Sequence, residues 1–167
     1  LNLQDNNVDY LALVLSNFML GRSETSRLWH RIREQDGLSY NVRSNLSVSA
    51  FEPSGTWTIY AIFAPENRAR LETALDEELA RVVKDGFTEA EVKSAQQAYL
   101  NLRALGRAQD GALVGAWTTL LHENRTFEWS KQFDEHISKL TPEVINQAVK
   151  RYLKPEGFAR AVAGDFK

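Results

Sequence analysis

Two side chains near the start of the sequence have the types and the spacing needed to bind a carbonyl group. Arg33 lies in the last turn of a predicted short helix, and Tyr40 opens the strand that follows. Gly37 lies between them, because glycine adopts without strain the left-handed backbone conformation that ends a helix. A guanidinium and a phenol on either side of one tight corner are both hydrogen-bond donors. Arg33 and Tyr40 are therefore a candidate carbonyl-binding pair.

A purely structural interpretation of the same residues stays open. The predicted helix has Leu28 and Ile32 four residues apart, which gives it one buried side. Arg33 could simply complement the negative end of the helix dipole, and Tyr40 could be an ordinary aromatic residue of a strand. Spacing alone does not choose between this interpretation and carbonyl binding.

Short motifs surround this corner and also open later helices. They are Leu20-Gly21, Ser26-Arg27-Leu28, Arg33-Glu34, Gly37-Leu38-Ser39-Tyr40, Pro65-Glu66-Asn67, Asp85-Gly86-Phe87-Thr88-Glu89-Ala90-Glu91-Val92 and Leu140-Thr141-Pro142-Glu143-Val144. In this order the motifs resemble the M16 family of zinc metallopeptidases, the pitrilysin, insulin-degrading and mitochondrial-processing group. More narrowly, the chain resembles the C-terminal half of those enzymes, which holds no zinc, from about Asp9 to Asp165.

The resemblance implies a role for the pair at the corner. In active family members an arginine and a tyrosine seven residues apart reach across a closed chamber to the substrate at the zinc of the N-terminal half. By this resemblance Tyr40 hydrogen-bonds the scissile carbonyl region, and Arg33 holds the substrate main chain or a carboxylate. Many relatives have a second glycine where Arg22 stands, a departure that concerns the shape of the turn more than the pair.

The resemblance also implies which partners and cofactors the protein has. The chain would be the C-terminal half of an M16-type endopeptidase, with a peptide as substrate and inactive alone. Zinc would be bound by an N-terminal half on the same protein or on a partner subunit, and this chain would bind none. The alternative is a catalytically silent structural, scaffold or peptide-binding subunit. A His-x-x-Glu-His motif upstream in the gene would favour the peptidase.

The residues themselves show no pattern of a zinc site or of a nucleophile. The histidines are His30, His122 and His136, no two of them within one helical turn, and neither His-x-x-Glu-His nor His-Glu-x-x-His occurs. We interpret His30 and Glu34, four residues apart, as an exposed helix pair. Gly-x-Ser-x-Gly is absent, and the lack of cysteine excludes a thiol nucleophile.

Length and charge limit the remaining function classes. The 167 residues suit one domain, 1–167, which we expect to be a fragment of a longer chain. With a net charge of −2 there is no basic excess, so neither nucleic acid nor an anionic membrane is an expected partner. The sequence does not decide between the bacterial periplasm and the cytoplasm.

Hydrophobic periodicity predicts an α+β fold in two layers, with three strands and about six helices. One strand has Tyr40, Val42, Leu46 and Val48 on its core face, and Trp57 to Phe63 follow it in an antiparallel hairpin. A short final strand is expected from Phe158 to Ala163. Four aromatic residues at periodic positions are expected in the core. They are Trp57, Trp117, Trp129 and Phe133.

The predicted sheet looks incomplete. In the family that the chain resembles, further strands precede the position of Leu1, so we expect upstream strands to be missing here. An open strand edge can pair with another chain, because its backbone N–H and C=O groups lack partners. We therefore expect self-association and a homo-oligomer.

Overall fold

The computed structural model describes residues 1–165 and confirms an α+β fold. Within these residues, helices pack against one face of a two-stranded antiparallel sheet. Two further helical segments are π-helical, and two short turns are 3₁₀. The elements are α1 Tyr10–Asn17, the π-helical segments Phe18–Arg22 and Trp29–Gln35, β1 Ser39–Val48, β2 Gly55–Phe63, the 3₁₀ turn Pro65–Asn67, α2 Arg68–Asp85, α3 Glu89–Arg107, α4 Asp110–His122, α5 Phe127–Lys139, α6 Pro142–Tyr152 and the 3₁₀ turn Pro155–Gly157.

The core lies where α1 and the two π-helical segments pack against β1 and where α1 and α2 pack against α6. Leu13 and Leu15 on α1 are fully buried, as are Ile145 and Val149 on α6 and Val42 on β1. Burying one such aliphatic side chain contributes about 1.5–3 kcal/mol relative to leaving it exposed. The hairpin is thus held from one side only, and its other face is left to solvent.

Local caps set the end of α2 and the start of α3. Gly86 ends α2 with a φ of +75°, a left-handed conformation that glycine tolerates. Thr88 and Glu91 form a capping box, since the Thr88 hydroxyl accepts the Glu91 N–H and the Glu91 carboxylate accepts the Thr88 N–H. These caps set where the two helices start and stop relative to the sheet.

The predicted final strand from Phe158 to Ala163 is wrong. The segment is irregular, and it lines a cavity of about 210 Å³ together with Ile59, Ala61 and Leu75. A strand requires the backbone groups of a neighbouring strand, and this segment makes no ladder with β2. The sheet in residues 1–165 therefore has two strands where the periodicity predicted three.

The expectation that four aromatic residues are buried holds for Trp57 and Phe133, and Trp129 packs against the core. It is wrong for Trp117, whose exposure is 54%. Trp117 lies on α4, an apolar helix that buries Leu120 but exposes most of its other residues. Its spacing indicated a helix correctly, but periodicity cannot show whether a neighbouring element covers the apolar side.

No helix in the described part of the chain has the length and apolarity to span a membrane.

A close contact beside β1 depends on Gly21. A Cβ added at Gly21 would lie 2.7 Å from the Ser44 Cβ and 2.9 Å from the Ser44 nitrogen. Ser44 is itself held in a buried hydrogen-bonded group, in which its hydroxyl donates to Asn17 Oδ1 at 2.7 Å and accepts from Trp57 Nε1 at 2.8 Å. The π-helical segment Phe18–Arg22 can approach β1 only because this position lacks a side chain.

We predict that Gly21→Ala lowers the free energy of unfolding by about 1–3 kcal/mol, because the new methyl overlaps Ser44. Gly115→Ala is the matched control, since a Cβ there meets no atom within 4 Å and alanine stabilises a helix interior by about 0.5–1 kcal/mol. Urea denaturation of the two variants measures both effects. A Gly21→Ala protein as stable as the unaltered chain would contradict the contact.

Candidate functional site

A π-helical segment and a left-handed glycine form the predicted corner. Trp29–Gln35 is helical as expected, but Asp36 N–H bonds to the Arg31 carbonyl at 3.1 Å, five residues back. This widened helical form is uncommon and occurs often at functional sites. Gly37 follows with a φ of +62°. The fully buried Ile32 anchors the segment under β1, so Arg33 is carried on its exposed side.

A β-bulge decides where the side chain of Tyr40 points. Ser39 pairs with Phe63 and Asn41 pairs with Ile62, so Tyr40 is an extra residue without a partner on β2. The bulge shifts the alternation of buried and exposed side chains along β1. Ser39 is therefore buried, and Tyr40 is 67% exposed. The predicted place of Tyr40 on the core face is therefore wrong, because strict alternation cannot include an inserted residue.

The hydroxyl of Ser39 replaces the ladder hydrogen bonds that the bulge interrupts. It donates to the Ile62 carbonyl at 2.7 Å and accepts from the Asn41 N–H at 3.1 Å. Ser39 is buried, so without the hydroxyl these backbone groups would lose partners where water has little access. The role of Ser39 at the bulge could not be predicted from the sequence, since a serine at the start of a strand has no distinctive spacing.

Arg33 completes the backbone of the bulge from the other side. Its Nη1 donates to the Tyr40 carbonyl, and its guanidinium lies 4.4 Å from the centre of the Trp29 ring. The guanidinium of Arg43 lies at the same distance from that ring, which is only 8% exposed. Cation–π contacts of this kind hold a guanidinium in place at modest entropic cost. Trp29 and Arg43 thus belong to this corner of the structure, and no sequence pattern indicated their contacts.

The structure thus brings Arg33 to the backbone of Tyr40, and both side chains are exposed. A guanidinium has five N–H donors, and one of them bonds to the Tyr40 carbonyl. That the phenol and the guanidinium bind one ligand stays a prediction.

The helix that carries Arg33 is fixed at its start by an ion pair. Arg27 donates to both carboxylate oxygens of Glu91, at 2.7 and 2.9 Å, and to the Gly86 carbonyl at 2.7 Å. Burial alone would raise the pKa of Glu91, but the hydrogen bonds from Arg27 and Thr88 outweigh it and hold the pKa below its usual value. This stabilisation is present above the usual glutamate pKa and is lost as the pH falls through the lowered one.

The residues that could ligate a metal do not fit a zinc site. His30 Nδ1 lies 2.7 Å from Glu34 Oε2, and its Nε2 lies 3.2 Å from the Gln35 amide, so this is a surface helix pair. The ring of His122 packs edge-on against Phe51. Across residues 1–165, no group of three or more histidine, aspartate or glutamate side chains converges as a metal site would require.

Comparisons with known proteins identify domains that are similar to this chain. The sequence profile of the peptidase M16 inactive domain matches residues 2–99. The crystal structure of a peptidase M16 inactive domain from Pseudomonas fluorescens superposes with a TM-score of 0.78. It is 24% identical and covers 92% of this chain and 36% of its own, a likeness that shows the fold.

The curated relatives are longer bacterial proteins. An uncharacterized zinc protease of Mycobacterium leprae is 30% identical over 164 residues, which are 93% of this chain and 34% of that protein. An uncharacterized zinc protease of Bacillus subtilis is 35% identical over 85 residues, 51% of this chain and 20% of that protein. The chain thus spans about a third, or less, of the length of these relatives.

We predict that Ser39→Ala lowers the free energy of unfolding by about 1–3 kcal/mol, because the Asn41 N–H and the Ile62 carbonyl lose a shared partner. Hydrogen exchange at the Asn41 amide should also accelerate. Ser47→Ala is the control, since Ser47 is exposed on the same strand. If Asn41 keeps its protection in Ser39→Ala, the hydroxyl does not hold the bulge.

Proposed function

The chain belongs to the M16 peptidase family as an inactive domain, and from this premise we propose that it contributes substrate-binding residues to a zinc endopeptidase. Residues 1–167 are then one C-terminal-type domain of a longer protein. The zinc is bound by an N-terminal half, on the same chain or on a partner subunit. The substrate is a polypeptide, and this chain alone cuts none.

The observation that carries the proposal is the exposed phenol at the bulge beside Arg33. The inserted residue turns this aromatic side chain to solvent. Its backbone carbonyl accepts a hydrogen bond from Arg33, so the two residues are joined at the bulge. Two neighbouring hydrogen-bond donors suit the recognition of a peptide main chain.

Each residue of the pair has a distinct role in this proposal. The Tyr40 hydroxyl donates a hydrogen bond to the scissile carbonyl region. This hydrogen bond holds the scissile peptide bond in one orientation. Arg33 uses guanidinium N–H groups not occupied by the Tyr40 carbonyl to hold a neighbouring main-chain carbonyl or a carboxylate. Both act by positioning and by stabilising charge, and neither requires a change of protonation.

The relatives are named zinc proteases, and the described residues of this chain do not fit a zinc site. In the proposal, the two tasks of peptide cleavage are therefore divided between two halves. One half binds the metal, and this chain grips the substrate across from it. Hydrolysis should return when the purified chain is mixed with its zinc-bearing half.

The second candidate is a catalytically silent M16-like structural or peptide-binding subunit. The observation that favours it is the exposed apolar side chains of α3 and α4, a feature typical of surfaces that contact another protein. These side chains are Leu102, Leu105, Val114, Trp117 and Leu121. The complete gene separates the candidates, because a zinc motif upstream supports the peptidase and its absence supports the silent subunit.

We predict that Tyr40→Phe in the full-length, zinc-bearing protein lowers kcat by about 10²-fold, the usual effect of deleting one donor to a carbonyl in the transition state. The phenylalanine keeps the ring and loses only the hydroxyl, which makes no hydrogen bond to any of residues 1–165. Steady-state hydrolysis of a fluorogenic peptide measures the change.

Tyr152→Phe is the matched control for this variant. Tyr152 ends α6 and is half-buried, away from β1, so its hydroxyl should not affect turnover. Unfolding curves of both variants should match that of the unaltered protein. Undiminished turnover in Tyr40→Phe would refute the assigned role.

We also propose that the isolated chain self-associates through a strand edge. The hairpin is two-stranded in the described residues, and β2 borders the cavity next to the irregular 158–162 segment. A second copy could pair with the backbone groups of that edge. Size-exclusion chromatography at increasing concentration should show a rising apparent mass, and a monomer at every concentration would exclude this pairing.

A further inference from the structure

Most arginines of this chain face a carboxylate. Arg27 pairs with Glu91, Arg31 with Asp36, and Arg125 with Asp5. Within residues 1–165, four arginines have no carboxylate within 4 Å. The other ion-paired arginines are Arg68, Arg81, Arg103, Arg107, Arg151 and Arg160, and the four without a carboxylate are Arg22, Arg33, Arg43 and Arg70.

Three of these four arginines lie around β1, with Arg43 on the strand itself and Arg22 and Arg33 on the π-helical segments packed against it. Arg22 Nη1 donates to Asn45 Oδ1 at 3.3 Å, and Asn45 follows Arg43 on the same face of the strand. Arg43 and Arg33 are both within 4.4 Å of the Trp29 ring centre. We call Arg22, Arg33 and Arg43 the arginine surface. It is positive although the whole chain has a net charge of −2.

Within residues 1–165, no carboxylate lies within 4 Å of the three guanidiniums of the arginine surface. Neither β1 nor β2 contains an aspartate or a glutamate. On the helix beneath, the Glu34 carboxylate lies against His30, and the Asp36 carboxylate lies against Arg31. Directly opposite Arg43 on β2 is Tyr60, an exposed residue with a hydroxyl. The surface therefore offers hydrogen-bond donors and positive charge that no described carboxylate contacts.

We propose that the arginine surface selects polypeptide substrates with acidic side chains beside the segment that Tyr40 holds. This inference rests on the proposed function and adds a substrate class to it. A guanidinium binds a carboxylate through two parallel hydrogen bonds, a geometry that a neutral amide side chain does not match. Trp29 holds two of the guanidiniums in advance, which reduces the entropy lost when the acidic side chain binds.

The test uses the full-length, zinc-bearing protein and sets of peptides that differ only by glutamate, glutamine or lysine next to the cleaved bond. The glutamate peptide should have kcat/KM about tenfold above the glutamine peptide, mostly through a lower KM, and the lysine peptide should be poorest. The preference should shrink as salt is raised. For peptides that are not cut, Kd from fluorescence anisotropy gives the same comparison.

Arg43→Gln should bring the glutamate-to-glutamine ratio close to one, and Arg43→Lys should keep part of it because the charge remains without the planar fork. Arg70→Gln is the matched control, since Arg70 also lacks a carboxylate partner and lies on α2. It removes the same charge and should leave the ratio unchanged. Unfolding curves report whether each variant folds.

Two results would overturn the inference. One is equal kcat/KM and equal Kd for the glutamate and glutamine peptides, and the other is a preference that survives Arg43→Gln. Tyr40→Phe separates this failure from failure of the proposed function. Reduced turnover in Tyr40→Phe without any charge preference removes only the acidic substrate class, whereas unchanged turnover in Tyr40→Phe removes the assigned role itself.

Discussion

The hydroxyl of Ser39, set between the Asn41 N–H and the Ile62 carbonyl, is the interaction on which the candidate site depends. An extra residue in a strand interrupts the ladder, and interrupted backbone groups are costly where they are buried. The serine supplies a donor and an acceptor in the same small volume, so the Asn41 N–H and the Ile62 carbonyl both keep a partner at the bulge. The consequence is that Tyr40 leaves the core face and its phenol becomes available.

Other contacts hold this arrangement from several sides. Arg33 binds the Tyr40 carbonyl, Trp29 lies against the guanidinium, and the Arg27–Glu91 ion pair fixes the start of the same helix to α3. In the preceding π-helical segment, Gly21 has no side chain, and this lets the segment pack directly against Ser44. Each of these residues has a local structural reason, and together they place two exposed donors at one end of an otherwise well-packed hairpin.

The sequence allowed the helices, the hairpin and the capping box at Thr88 to be predicted, because caps, glycine stops and periodicity are local signals. It did not allow the bulge to be predicted, since strict alternation assigns Tyr40 to the core. The final strand at 158–163 and the burial of Trp117 were wrong for a related reason. Both depended on whether a neighbouring element lies alongside, and that is a property of the tertiary structure. Spacing and resemblance predicted that Arg33 and Tyr40 lie at one corner, whereas the positions of Trp29 and Arg43 beside it follow only from the cation–π contacts of the structure.

In the proposed function, one half of the peptidase binds zinc and the other half binds the substrate. The bulge of this chain is the proposed substrate-binding part. The central claim of the proposal is that the Tyr40 phenol and the Arg33 guanidinium contact one bound peptide. The most direct measurement is a crystal structure of the full-length protein with an uncleaved peptide. We expect hydrogen bonds from both side chains to oxygen atoms of the peptide. A peptide bound without contact to Tyr40 or Arg33 would contradict the proposal.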